Sequence, residues 1–237
     1  MKKNLKIALQ MDPLEKLDLN GDTTFILGIE ALKRGFGVFF YSPSNLIFRN
    51  GTVYANAKIL NLGFENGKEI FSYGEGKVIK LSSLDVILMR QDPPFNMSYI
   101  TATHILEKIA TKTLVLNNPF HVRNAPEKIF VTEFSKFIPE TLITRETSEI
   151  IKFKNKYKNI IIKPLYGNGG ESVFYIKDND SNFNVIIENF LNSNEEQFII
   201  QSYVPEVKKG DKRIILLDGE IVGAINRIPA KNENRSN

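Results

Sequence analysis

The stretch Asn159–Ile176, N-I-I-I-K-P-L-Y-G-N-G-G-E-S-V-F-Y-I, limits what this chain can fold into more than any other. Its β-branched run Ile160–Ile162 predicts a strand buried on both faces, which delivers Lys163 at its end. Pro164 should stop the ladder there, because its ring removes a backbone donor. A loop with Gly167, Gly169 and Gly170 follows, and Val173–Ile176 is extended again. The order strand, lysine, glycine loop, strand excludes the two common glycine-rich phosphate motifs, which both lead into a helix. No G-K-[ST] follows the glycines, and Ser172 stands where a dinucleotide fingerprint needs its third glycine. What remains is a hairpin whose backbone N–H groups can close over a polyphosphate beside a lysine on rigid backbone. An ordinary β-hairpin with a glycine turn is the other reading of the same residues.

A chain of 237 residues, 42% hydrophobic and 24% charged, can bury a core or two. Its net charge of +4 comes from basic residues scattered among 27 acidic ones, without a dense Lys/Arg tract, so nucleic-acid binding is not supported. The absence of cysteine excludes disulfides, Cys-bound zinc and thiol nucleophiles. His104 and His121 stand far apart and do not read as a metal pair. No apolar run could span a membrane and the start lacks a signal-peptide core, so the expected location is cytoplasmic.

Read in order, Leu5–Met11 predicts a first strand that breaks at Asp12-Pro13. Asp22 is a candidate N-cap for a helix over Thr23–Arg34, and Val38–Tyr41 predicts the next strand. A β-loop-α-β opening of this kind implies an open α/β sheet, in which the loop beyond the first strand lines a ligand crevice. Asp12 and Asp22–Thr24 are therefore candidates for substrate contact, with capping as the alternative for Asp22. Asn50-Gly51 predicts a hairpin within Leu46–Ala57, and more β structure is expected around Phe64–Phe71 and Lys77–Lys80. The strand Asp85–Met89 ends in Arg90-Gln91-Asp92-Pro93-Pro94-Phe95, where two prolines stiffen the backbone at a strand's carboxyl end. Arg90 could there present its planar fork to a carboxylate. A helix over Ser98–Ala110 and a strand at Leu114–Leu116 come next, and a domain boundary is expected at about Pro119–Arg123. Beyond it we expect helices over Glu127–Phe134, Glu146–Lys156 and Asn182–Leu191, and strands at Ile138–Ile143 and Gln197–Val204. A final hairpin should turn at Asp218-Gly219.

Several stretches together resemble prokaryotic glutathione synthetase. They are Asp12-Pro13, L-D-V-I-L-M-R-x-D-P-P-F at Leu84–Phe95, Asn117–Pro119, Glu127-Lys128, I-I-K-P-L-x-G-x-G-G at Ile161–Gly170, G-D-K-R at Gly210–Arg213 and Arg227–Pro229. The resemblance is colinear over the whole chain. It implies an α/β protein with an amino-terminal open α/β domain (pre-ATP-grasp, 1–122) that binds substrate. An α+β ATP-grasp domain (123–237) that binds nucleotide would follow. It also implies an ATP-dependent ligase that joins γ-glutamylcysteine to glycine through an acyl phosphate, with ATP and Mg²⁺ as cofactors and a homo-oligomer in the complete protein.

By similarity, Lys128 and Lys163 would contact the phosphates, and Gly167, Asn168, Gly169 and Gly170 would form the flap over them. The backbone of Gln201, Ser202, Tyr203 and Val204 would read adenine, with Asp211 near the ribose. Arg213 and Arg227 would face the peptide and its reacting carboxyl. Asp12 and Arg90 would hold the peptide from the amino-terminal domain, and Arg235 would sit in a covering loop. In the family the grasp domain continues past R-I-P, and that part carries the metal ligands. No acidic pair within 205–237 replaces them. The expectation is thus an incomplete ATP-grasp domain with its metal ligands beyond residue 237, in a chain that does not turn over as given. The alternatives are another ATP-grasp carboxylate–amine ligase, or a non-catalytic nucleotide-binding remnant.

Overall fold

A computed structural model of the chain describes residues 4–167, 170–193 and 195–229. The chain divides into two compact units, Met1–Ala125 and Pro126–Asn237.

In the first unit the elements are β1 (Lys6–Gln10), α1 (Thr23–Lys33), β2 (Gly37–Tyr41), β3 (Leu46–Arg49), β4 (Thr52–Glu65), β5 (Lys68–Lys80), β6 (Val86–Met89), α2 (Met97–Glu107), β7 (Leu114–Leu116) and α3 (Pro119–Asn124). They form one seven-stranded sheet in the order β3-β4-β2-β1-β6-β7, with β5 paired to β4. The strands β2, β1, β6 and β7 run parallel. Because side chains alternate along a strand, β1 serves two cores. Ile7 and Leu9 pack with Phe25 and Ile29 of α1, whereas Ala8 packs with Ile87, Met89 and Leu106 of β6 and α2. The two helices thus cover opposite faces. Asp22 caps α1, its carboxylate accepting a 2.6 Å bond from the Phe25 N–H.

Two departures from expectation stand out in this unit. The β structure around Phe64–Phe71 and Lys77–Lys80 is one long hairpin, β4–β5, turned by Asn66-Gly67 with both residues at positive φ. That is the same turn chemistry as Asn50-Gly51. The stretch 119–124 is helical, with Asn118 accepting from the Phe120 and His121 N–H groups.

The second unit contains α4 (Glu127–Phe130), β8 (Thr141–Thr144), α5 (Thr147–Tyr157), β9 (Ile160–Pro164), β10 (Phe174–Ile176), α6 (Phe183–Ser193), β11 (Phe198–Ser202), β12 (Asp211–Leu217) and β13 (Glu220–Arg227). Strands β10-β9-β11-β8 make an antiparallel sheet, and β12–β13 form a separate hairpin. The sheet packs Ile160, Ile162, Ile176, Phe198 and Ile200 against Ile150, Ile187 and Phe190 of α5 and α6. Its fourth strand is shorter than predicted, and the helix expected through Phe134 ends at Phe130. A 3-10 segment continues to Phe137 and is broken by non-helical backbone at Phe134.

Strand β9 corrects two further expectations. Ile160 and Ile162 are fully buried, but Ile161 is only partly so, since the run packs one face on the helices. Pro164 does not end the ladder ahead of itself: it lies in register with Phe198 of β11. On the other side β10 stops at Ile162, so the proline's missing donor faces no strand there. In the β12–β13 hairpin Ile214, Ile215, Leu216, Leu217, Ile221 and Val222 are each more than half exposed.

Truncating Ile162 should test whether β9 is the keystone of the second core. Ile162→Ala removes a side chain of zero exposure from that cluster and should lower stability by roughly 2–5 kcal/mol in denaturant unfolding. A loss below about 1 kcal/mol would show that the helices close over the gap at little cost.

Candidate functional site

The second unit brings together two of the residues expected to contact phosphate. Strand β9 ends with Lys163, and α4 carries Lys128. The Lys128 ammonium donates to the Pro164 carbonyl at 2.8 Å and to the Gly167 carbonyl at 3.0 Å. Both acceptors flank the start of the glycine loop, so this side chain ties the loop's first turn to α4. Burial lowers the pKa of Lys128 and of Lys163, and the Lys128 charge lowers Lys163 further, with Glu127 opposing in each case. Two partly buried ammonium groups, close enough for one to lower the other's pKa, thus stand beside a glycine loop, an arrangement suited to an anion. Gly167 and Gly170 lie at φ +136° and +72°, and Ser172 is also at positive φ. A loop of this kind can aim successive N–H groups inward. Asn168 and Gly169 of the expected flap lie outside the described residues, as does Arg235.

The segment expected to read adenine is at the end of β11. Gln201 is buried and donates to Thr141 Oγ1 at 2.9 Å. The Ser202 and Tyr203 N–H groups bond the Glu140 and Asn159 carbonyls, both at 3.0 Å. Those two donors are spent within the unit, and the expectation for this run narrows to its carbonyls and to the exposed Val204. Tyr203 stacks on Tyr175 with ring centroids 4.1 Å apart, a pairing that no sequence signal announced.

The hairpin β12–β13 places Asp211 opposite Arg227. Arg227 Nε donates to Asp211 Oδ1 at 3.1 Å, and its Nη2 pairs with Oδ2, which raises the Arg227 pKa. Two residues expected to serve different ligands are thus each other's partners, and Arg213 is exposed on the same strand as Asp211. Gly210 at φ +102° permits this approach, because a Cβ there would stand 2.7 Å from the Arg227 carbonyl. Among the described residues no group of three or more acidic or histidine side chains could hold a metal ion.

In the first unit the candidate residues meet where the sheet reverses direction. From β1 the chain passes through α1 to β2 on one side, and from β6 through α2 to β7 on the other. The gap beyond the carboxyl ends of β1 and β6 is therefore a topological switch point, where open α/β sheets take up ligands. Asp12 follows β1 and Arg90–Asp92 follow β6. The Asp92 N–H donates to Asp12 Oδ2 at 2.8 Å, and the Arg90 N–H to the Gln10 carbonyl at 2.8 Å. Arg90 Nε donates to Thr24 Oγ1 in the first turn of α1 at 3.0 Å. Burial raises the Asp92 pKa, Asp12 and Asp22 raise it further, and Arg90 opposes them. Asp92 was not among the expected site residues, although it lies inside the R-x-D-P-P motif.

The chain matches known proteins in both units. Residues 5–123 match the family model for the prokaryotic glutathione synthetase N-terminal domain, and residues 127–237 the one for its ATP-grasp domain. The chain is 51% identical over its whole length to a glutathione synthetase of Agrobacterium fabrum, and covers 74% of that protein. It is 50% identical to one from Mesorhizobium japonicum, over 98% of this chain and 74% of that one. Among solved structures, a D-cycloserine synthetase superposes with a TM-score of 0.62 at 14% identity, covering 94% of this chain and 68% of its own. D-alanyl-alanine synthetase A from Vibrio cholerae gives 0.58 at 13%, over 98% and 70%. At such identities these structures show the fold alone, which is that of an ATP-grasp ligase.

An anion held by the lysine pair would bind in a pH-dependent way. An anion needs both ammonium groups charged, and lowered pKa values mean that this charge is lost below the ordinary lysine range. ATP affinity should therefore hold near neutrality and weaken as pH rises through the lowered values, before the unperturbed lysine pKa of about 10.4. Calorimetric titrations across pH check this. Affinity that stays constant up to the ordinary lysine range would contradict it.

Proposed function

The chain belongs to the prokaryotic glutathione synthetase family, an ATP-dependent carboxylate–amine ligase family, and from that premise we propose how its residues divide the work of glutathione synthesis. The second unit takes the nucleotide and the first takes the peptide substrate, γ-glutamylcysteine. The observation that carries this reading is the pair Lys128 and Lys163, which stand together at a tethered glycine loop with their charges partly desolvated.

In the proposed reaction ATP phosphorylates the cysteinyl carboxylate of the dipeptide and leaves as ADP, the amine of glycine then attacks the acyl phosphate, and phosphate departs as glutathione forms. Such a reaction asks for position and compensating charge more than for side-chain acid–base work. Lys163, on the rigid end of β9, would be a fixed counter-charge for the transferring phosphate. Lys128 would serve the same anion and, by gripping the Pro164 and Gly167 carbonyls, would set where the loop N–H groups can reach. Gly167–Gly170 would close over the phosphates. The carbonyls of Gln201–Tyr203 and the Val204 backbone would face adenine, and Asp211 the ribose. Arg213 and Arg227 would meet the reacting carboxyl, which requires the Arg227–Asp211 pair to open or to be shared. Asp12 and Arg90 would hold the peptide, and Arg235 would cover the site.

ATP-grasp enzymes generally work with Mg²⁺, yet the described residues do not fit a metal shell: Asp211 is engaged by Arg227 and no acidic group of three forms. No step is therefore routed through a metal here. No described helix is long and apolar enough to cross a membrane. A cytoplasmic location and a homo-oligomer belong to the same proposal.

Binding separates this reading from its neighbours. The chain should bind ATP and γ-glutamylcysteine, and Lys163→Ala should weaken ATP by roughly tenfold or more while leaving the dipeptide nearly alone. Calorimetry with both ligands, and with D-alanine in place of the dipeptide, provides the check. D-alanine bound in preference to γ-glutamylcysteine would favour a different ATP-grasp ligase. Equal ATP affinity in mutant and parent would remove Lys163 from the site.

A further inference from the structure

The segment after β6 is tied to the end of β1 at three successive residues. The Arg90 N–H donates to the Gln10 carbonyl and the Asp92 N–H to the Asp12 carboxylate, both at 2.8 Å. Between them Gln91 is buried, and its Oε1 accepts from the Gln10 side-chain amide. Gln10 thus holds this segment twice, through its carbonyl and through its side chain, and has zero exposure itself. An amide pair is a costly choice for such a place, since apolar side chains of similar shape would leave no polar atom unpaired. Nor does the pair satisfy itself: Gln10 Oε1 finds no donor among the described residues. Turning both amides over would only exchange that orphaned acceptor for an orphaned donor.

A second orphan belongs to the neighbouring strand. Tyr41, also with zero exposure, is the in-register partner of Gln10 across β1 and β2, and its hydroxyl has no partner among the described residues. Residues paired in a sheet share a face, so both side chains lie on the α2 side, where Tyr41 packs with Ala8, Met89 and Leu106. Burial pushes the Tyr41 hydroxyl well above its ordinary pKa, so near neutrality it stays able both to donate and to accept. One orphaned donor and one orphaned acceptor, enclosed on the same face, match what a buried water requires. We propose that Gln10 and Tyr41 hold one ordered water, and that this unit positions Gln91 and through it the backbone of Arg90–Asp92. Neither residue meets a ligand: both are positioning residues, which limit the directions in which Arg90 and Asp92 can point. With the water counted, both orphaned atoms are satisfied, the condition under which buried polar groups make a fold more rigid. Only the consequence for binding rests on the reading of the first unit as the peptide site. The water and the fixed segment do not.

Two near-isosteric substitutions make the test. Gln10→Met keeps the shape and removes the amide, and Tyr41→Phe removes only the hydroxyl. In a crystal structure of the unaltered chain a water should bridge Gln10 and Tyr41. Tyr41→Phe should then lower the midpoint of denaturant unfolding, whereas removal of a hydroxyl that faces nothing would raise it. Gln10→Met should speed amide exchange at Gln91 and Asp92 roughly tenfold and leave Leu9 and Phe39 in the sheet unchanged, which a general loss of stability would not do. The double variant should be no worse than Gln10→Met alone, because both changes break one network. γ-Glutamylcysteine affinity should fall roughly tenfold in Gln10→Met while ATP affinity holds. A dry chamber with a stabilising Tyr41→Phe, exchange at Asp92 that Gln10→Met leaves unchanged, or additive effects in the double variant would each overturn the proposal. Faster exchange with unchanged γ-glutamylcysteine affinity would overturn its link to binding. If the unaltered chain does not bind γ-glutamylcysteine, the peptide reading fails, and the water, stability and exchange results still decide this inference.

Discussion

The repulsion between two partly buried ammonium groups, Lys128 and Lys163, is the interaction on which the second unit turns. Lysines at neutral pH repel, and burial adds to the cost, so the arrangement persists only where the fold over-determines it. Strand β9 fixes Lys163 opposite Ile199 of β11, and the buried Ile160 and Ile162 anchor that strand on α5 and α6. Lys128 is fixed in a different way, by donating to two carbonyls of the loop it faces. Those two bonds make up for part of the water that Lys128 has lost and also position the loop. An anion bound there would offset the charge of both lysines at once and so would stabilise the unit it binds.

The first unit solves the opposite problem by the same route. There the unfavourable neighbours are carboxylates, Asp12 and Asp92, placed at the carboxyl ends of β1 and β6 by strands buried on both faces of the sheet. In both units the like charges are carried by strand ends and by the short segments next to them. Ligand groups of opposite sign would complete each site.

Much of this was readable from local chemistry. The strand–lysine–glycine order, the Asp22 cap and the Asn50-Gly51 turn all depend on neighbours in sequence, and all were legible. The Asn66-Gly67 turn had the same signature and could have been read with it. Contacts between distant residues were not legible. Lys128 meets carbonyls 36 and 39 positions away, and no pattern in its own helix indicates that. The Asp211–Arg227 pair depends on an irregularity: Leu216 faces Ile221 but Ile215 faces Gly223, so Val222 is an extra residue. Without that bulge Asp211 would stand opposite Asn226. Gly223, a glycine inside a strand, was the available hint. The helix expected through Phe134 failed because Phe134 itself leaves helical geometry, although its spacing from Phe130 suits a helix.

Whether Lys128 and Lys163 form one anion site can be tested on a single atom. The Lys163 ammonium can be titrated by NMR on side-chain-labelled protein, first alone and then with ATP at saturation. Its pKa should lie below the ordinary lysine value without nucleotide and rise clearly when the phosphates bind. A Lys163 pKa that is ordinary in the free chain, or that does not move when ATP is bound, would contradict it.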